Sequence, residues 1–222
     1  MVQDVQTVVA GMKVLDLFSG SGGAAMGLSR AWPDADITGV DLKAMPRYPF
    51  RFIQADAMTF PLDSYDFIWA SPPCQAYSVT RNMHLANQHP DLVAPTRTRL
   101  EAVGVPYIIE NVVGAPLNTV VELCGTMFGL KTFRHRRFET SYMVLAPKHS
   151  HPAGSSTNTS KGDKGVSSHK NGATHITVAG NNFNFQDGKA AMGIEWMNHD
   201  ELKQAIPPAY SEFLARQWRP HD

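Results

Sequence analysis

Several short stretches place chemically capable side chains at the ends of apolar runs. In Ser71-Pro-Pro-Cys-Gln75 two prolines fix the backbone ahead of a thiol. Cys74, presented in this way, is a candidate nucleophile able to add to an electron-poor carbon. The competing reading is a small buried thiol, the commonest state of free cysteine, and Cys124, inside the apolar run from Val120 to Leu130, suits that role better. Glu110-Asn111 follows an apolar strand, so the carboxyl either emerges at the same rim as Cys74 or is used in capping or an ion pair. A nearly buried Glu needs a proton or a partner in any case. In Arg134-His-Arg-Arg-Phe138, strand alternation puts Arg134 and Arg136 on one face and His135 and Arg137 on the other. Such a cluster faces either a site or solvent.

Asp16-Leu-Phe-Ser-Gly-Ser-Gly-Gly23 reads as a strand running through a glycine turn into a helix. It is either a plain tight turn or a place where backbone N–H groups meet a nucleotide-like ligand. Asp41 lies 21 residues after Gly20, at the end of the next strand, where an acid can accept both ribose hydroxyls. Neither the dinucleotide spacing nor a P-loop Gly-Lys-Ser/Thr is present. A cofactor with a ribose but no phosphate cradle suits the pattern, and S-adenosylmethionine is such a cofactor. The two cysteines match the spacing of neither a metal site nor a disulfide framework, so no metal is expected.

The elements that must position these residues are short buried strands at 13–18, 37–42, 52–56, 65–70 and 105–109, with helical stretches at 24–31, 91–103 and 121–129. This alternation predicts an α/β fold with a doubly wound, mostly parallel, Rossmann-like sheet whose ligands sit beyond the carboxyl ends of the strands. Residues 148–173 turn to Ser, Thr, Gly, Asn, Lys and His and read as a flexible surface loop. β character resumes at 174–179, and helical patterns broken at Pro207-Pro208 follow. The expected organisation is a catalytic and cofactor-binding domain at 1–140, a reduced recognition region at 141–180, and C-terminal helices at 181–222 that pack back on the first part.

Lys+Arg and Asp+Glu both number 20 in 222 residues, so no global field draws a polyanion, and any such partner needs a local patch. One exists: between Arg134 and His175, seven Lys or Arg stand against two acids. No run is long and apolar enough to span a bilayer, and the first twelve residues lack an export signal, so a cytoplasmic protein without membrane contact is expected.

DLFSGSGG, the acid of GVD, the acid of QADA, SPPCQ, ENV and RHRRF, in that order, resemble the cytosine-C5 DNA methyltransferases. MGIEW followed by IPPAY resembles the ending of their short bacteriophage and prophage members. The resemblance covers nearly the whole chain except 148–173. It implies a class I S-adenosylmethionine-dependent methyltransferase acting as a monomer on double-stranded DNA in a bacterial host cell, with restriction-modification as a family setting. Phe18, Ser19, Gly20 and Gly23 would line the cofactor pocket, Asp41 would hold the ribose, Asp56 the adenine amino group, with Leu42 and Ala57 beside them, and Ser71 and Pro73 the methionine side. Cys74 would be the nucleophile, Glu110 the group at cytosine N3, and Arg134 and Arg136 the pair orienting base and carboxyl. Departures from the family pattern are Thr132 in place of Gln, Leu42 in place of an aromatic, and Gln204-Ala-Ile-Pro-Pro in place of Gly-Asn before Val-Pro-Pro.

The chemistry explains the set: C5 of cytosine becomes nucleophilic only after a thiolate adds to C6, and the target base must first leave the helical stack. The polar stretch 76–95 is expected to close over the base, with Arg81 and Asn82 reaching DNA, and Lys161, Lys164 and Lys170 are expected to contact phosphate. With a recognition region of about 40 residues, a site of roughly two to four base pairs is expected. One branch of the family methylates tRNA with the same motifs, so an RNA cytosine-C5 methyltransferase is the nearest alternative. A relative that binds DNA without catalysis is the alternative of another class, and the presence of both Cys74 and Glu110 argues against it.

Overall fold

The structure is a computed structural model, and it describes residues 11–73, 91–149, 151, 157–158, 174–180 and 183–219. Its centre is a seven-stranded sheet in the order β3-β2-β1-β4-β5-β7-β6. The strands are β1 (Lys13–Leu17), β2 (Asp36–Asp41), β3 (Arg51–Gln54), β4 (Phe67–Ala70), β5 (Tyr107–Asn111), β6 (Val120–Leu123) and β7 (Arg136–Thr140). The first five are parallel, and β7 runs antiparallel to both β5 and β6. β4 and β5 are buried along their whole length, as central strands of a sheet covered on both faces must be.

Alternation along each strand divides the core in two. Val14, Phe67, Trp69 and Ile108 point to one face, where α1 (Gly23–Ala31) and α5 (Pro208–Ala215) supply Leu28, Tyr210 and Leu214. Leu15, Leu17, Ile68 and Ile109 point to the other, against Leu100 of α2 (Val93–Val103). α1 and α5 approach unusually closely: a Cβ on Gly27 would lie 2.0 Å from the Pro208 carbonyl oxygen and 2.1 Å from Ser211 Oγ. The Ser211 hydroxyl donates to the Ala24 carbonyl at 2.8 Å. Pro207-Pro208 thus ends one segment and begins α5, with Pro208 in the first turn, where its missing N–H costs nothing.

A third apolar cluster gathers Ile176, Val178, Phe183, Ala191, Met192, Ile194, Met197 and Leu202. It includes α3 (Phe185–Met192) and α4 (His199–Leu202), each opened by an Asn that accepts backbone N–H bonds. The strand expected at 174–179 is limited to β9 (His175–Ile176), parallel to β8 (Thr157–Asn158).

The helix expected at 121–129 is absent. Val120 and Val121 extend as β6, paired with Glu139 and Phe138 of β7, and Gly125–Phe128 forms a single 3-10 turn closed by Gly129 at φ +69°. β-branched residues at the edge of a sheet and two glycines at the turn override the apolar periodicity.

Candidate active site

Because β1, β2, β4 and β5 are parallel, their carboxyl ends open on one rim. At the end of β1 the backbone enters left-handed conformations at Phe18 (φ +56°), Gly20 (φ +48°) and Gly22 (φ +82°). A non-glycine residue there costs roughly 1–3 kcal/mol and persists where the surroundings impose it. Open space lies where a Cβ on Gly20 would stand, so the backbone is accessible to a ligand. The Ser19 N–H donates to the Val40 carbonyl at 3.1 Å, joining the turn to β2.

Asp41 accepts the N–H of Gly20 at 3.0 Å on one oxygen and that of Lys43 at 3.0 Å on the other. These bonds fix the carboxylate while leaving lone pairs for further donors. Leu42, immediately beyond, is 70% exposed, a large apolar side chain standing on the rim. Asp56 accepts the Met58 N–H at 2.8 Å, and its neighbour Ala57 is buried. Gly23 is also buried, but a Cβ there would lie 2.6 Å from the Ile206 carbonyl oxygen, so its lack of a side chain admits the segment leading to α5.

Glu110 is the centre of the opposite half of the rim. It lies within β5, only 7% exposed, with Arg136 Nε 3.0 Å from Oε1. Burial raises its pKa above the ordinary carboxylate value, outweighing the opposing pull of Arg136, the Ser71 hydroxyl and Arg134. Ser71 accepts the indole N–H of Trp69 at 2.9 Å, which leaves its own proton to point at Glu110. Asn111, 1% exposed, donates from Nδ2 to the Pro72 carbonyl at 2.9 Å and accepts the Val112 N–H on Oδ1 at 2.9 Å. The strand that carries Glu110 therefore also holds the Ser71-Pro72-Pro73 segment that leads to Cys74.

The two arginines expected to share a face divide their work. β7 begins at Arg136, so the alternation does not extend back to Arg134. Arg136 turns to Glu110, and Arg137, on the other face, pairs with Glu122 at 2.9 Å. Arg134 is buried and donates to the carbonyls of Val178 at 2.6 Å and Lys203 at 2.8 Å, while the Tyr210 hydroxyl donates to its own carbonyl at 2.6 Å. It thereby ties the arginine segment to the third cluster and to α5. Arg134, Arg136, Val112, Thr132, Val178 and Gln204 line a cavity of about 510 Å³, of which Arg136 is the wall that pairs with Glu110.

Cys74, Arg81, Asn82, Lys161, Lys164 and Lys170 lie outside the described residues, as does most of the 148–173 stretch. Sequence reasoning missed the Trp69–Ser71 bond, whose only trace is a Trp two residues before the Ser in an apolar strand. Cys124 is fully buried, as a small core thiol should be. Sequence reasoning also missed that its Sγ and ring nitrogens of His135, His149 and His151 all lie within 4.8 Å of one another. Those four come from three separated segments, so cysteine spacing could not reveal them; the His-x-His at 149–151 was the available signal.

Strand order, the antiparallel β7 and the glycine turn at the end of β1 define the class I, Rossmann-like fold of S-adenosylmethionine-dependent methyltransferases. Residues 12–114 match the model of the C-5 cytosine-specific DNA methylase family. No curated protein matches the chain. Among solved structures, the chain is similar to an RNA methyltransferase from Salinibacter ruber in complex with S-adenosyl-L-homocysteine, at 14% identity over 63% of this chain and 87% of that one, with a TM-score of 0.36. Phosphoethanolamine N-methyltransferase 2 of Haemonchus contortus, with S-adenosyl-L-methionine, is 18% identical over 46% of this chain and 24% of that one, with a TM-score of 0.34. The plantazolicin methyltransferase BpumL is 18% identical over 46% of this chain and 39% of that one, with a TM-score of 0.31. The chain thus spans less than two thirds of the length of these last two.

Proposed function

We propose that this protein transfers a methyl group from S-adenosylmethionine to C5 of cytosine in double-stranded DNA. The observation that carries the reading is Glu110: a carboxyl whose pKa is raised by burial, held in place by Ser71 and Arg136, on the strand whose next residue anchors the Pro72-Pro73 approach to Cys74. The match of residues 12–114 to the C-5 cytosine-specific DNA methylase family supports the same substrate.

The residues present fit the cofactor. The open backbone at Gly20, the fixed Asp41 carboxylate and the exposed Leu42 suit, in turn, a methionine portion, a ribose and an adenine face. Phe18, Ser19, Asp56, Ala57, Ser71 and Pro73 complete the set that would hold it. S-adenosylmethionine supplies an electrophilic methyl group on a sulfonium. The Cys74 thiolate bonds to C6 of the flipped base while Glu110 gives its proton to N3, so that electron density reaches C5. Arg136 balances the charge that develops as Glu110 ionises. After C5 forms its new carbon–carbon bond, its proton leaves to a base, the thiolate is eliminated, and N3 returns its proton to Glu110.

Double-stranded DNA requires extrusion of the target base, at a cost of a few kcal/mol. The cavity lined by Arg136, the partner of Glu110, is a concave, partly apolar receptacle, and the local excess of Lys and Arg from residue 134 onward would supply phosphate contacts. In this reading the enzyme is of the short bacteriophage or prophage type and works in a bacterial cytoplasm.

The test is a duplex carrying 5-fluorocytosine, which lacks the proton needed for release. A covalent adduct that forms with the unaltered chain and vanishes in Cys74→Ser supports the proposal; an adduct that persists in that variant refutes the nucleophile. Tritium transfer to equal amounts of duplex DNA and tRNA decides the substrate, and labelling of RNA alone would overturn it.

A further inference from the structure

We infer that this protein carries a structural zinc site formed by Cys124, His135, His149 and His151. Cys124 follows β6, His135 immediately precedes β7, and His149 and His151 lie on the chain after β7. The Nε2 atoms of His135 and His149 are 3.3 Å apart, those of His149 and His151 3.2 Å apart, and Cys124 Sγ is 3.7 Å from His151 Nε2. Zinc at its usual bond lengths, about 2.0–2.1 Å to nitrogen and about 2.3 Å to sulfur, sets tetrahedral ligand separations of about 3.3 Å for N···N and about 3.6 Å for S···N. The three separations above fit these values, and all four ligand atoms lie within 4.8 Å of one another.

Ring orientation agrees. The three imidazoles meet pairwise at 64°, 62° and 76° with centroids 5.0, 5.5 and 5.0 Å apart, splayed like blades around one point. Hydrogen bonding among themselves does not account for this. Each Nε2 has either one proton or one in-plane lone pair, so His149 Nε2 cannot make well-aligned bonds to both neighbours. A cation at the centre satisfies every lone pair at once.

The surroundings prepare the ligands. Cys124 is fully buried, and its sulfur accepts the Thr126 hydroxyl at 3.3 Å, an outer bond that orients the sulfur. Phe133 is stacked between His151 and His175 at 4.2 and 4.3 Å, which fixes the His151 ring. One thiolate and three imidazoles select zinc over magnesium or calcium, and four protein donors leave no open position for catalysis. The ion would therefore fasten the outer strand pair, β6 and β7, to the chain that follows β7.

The test reads metal, not methyl transfer, so it stands or falls apart from the function proposed above. The untagged full chain, purified under reducing conditions from zinc-supplemented medium, is expected to hold about one zinc per chain by mass spectrometry of the elements. The chain produced in cobalt medium is expected to show tetrahedral d–d bands and a thiolate-to-cobalt charge-transfer band in the near ultraviolet. Cys124→Ser should abolish the charge-transfer band. Because His149 and His151 are exposed, His149→Ala with His151→Ala should keep the fold by circular dichroism while zinc falls below about one tenth per chain. Zinc below that level in the unaltered chain, a cobalt spectrum without the charge-transfer band, or zinc retained by the double variant would each overturn the site.

Discussion

Asn111→Asp separates the anchoring of the nucleophile segment from every other property of the rim. The substitution keeps shape and keeps an acceptor for the Val112 N–H, but it replaces the Nδ2 donor to the buried Pro72 carbonyl with a second oxygen. Two acceptors then face each other at about the former hydrogen-bond distance, in a site 1% exposed. Losing the bond and leaving the carbonyl unsatisfied costs about 2–4 kcal/mol at neutral pH. Protonation restores a donor, so the introduced carboxyl has a raised pKa in the folded state. Its penalty is therefore smallest below the unfolded pKa of about 3.9 and grows as pH rises through the folded value. Urea unfolding at pH 4 and pH 7 measures this, and an ångström-scale shift of Pro72-Pro73 should also slow adduct formation on 5-fluorocytosine DNA by about 100-fold at pH 7. Equal stability loss at the two pH values, or a loss below about 0.5 kcal/mol with an unchanged adduct rate, would refute the anchoring role.

Three further perturbations probe other parts of the molecule. Glu110→Gln should lower kcat by about 10²- to 10⁴-fold, since an amide cannot transfer the proton. Because burial raises the Glu110 pKa, the native carboxyl contributes stability below its unfolded pKa and loses it as pH rises through the folded one; melting temperatures should shift in favour of the Gln variant between pH 5 and pH 8, and a constant difference would contradict the assignment. Arg97→Ala strands Glu139, which is buried and receives both Arg97 Nε and a terminal Arg97 nitrogen at 2.7 Å, so chemical denaturation should show a loss of about 3–5 kcal/mol. Gly27→Ala gains helix propensity yet drives a methyl group into the Pro208 carbonyl and Ser211, so it should destabilise by about 3 kcal/mol, and a neutral or stabilising effect would contradict the α1–α5 packing.

The parallel core was legible because each of its strands is an apolar run closed by a polar residue, and sequence order then dictates which ends share a rim. Glu110 and Asn111 were placed just past β5; the structure keeps both within it, buried and paired with Phe138 and Arg137 of β7. What could not be read is what depends on distant partners. Nothing local to Arg134 says that its guanidinium meets the carbonyls of Val178 and Lys203, 44 and 69 residues away. The apolar run around Cys124 reads as helix because periodicity does not distinguish a short strand and a turn from one buried helical segment. The histidines that meet that thiol carry no shared spacing with it, and only the antiparallel return of β7 brings them together.

The bond between Ser211 and Ala24 spans 187 positions, and the groove on α1 is filled by Pro208 and Ser211. On a ribosome adding about 5–20 residues per second, the first helix therefore waits about 10–40 s for its cover. Through that interval the glycine turn joined to it has no fixed support from α5, so a nascent chain should protect this region only late in synthesis. A chaperone that shields small-residue helical surfaces would have its longest opportunity there.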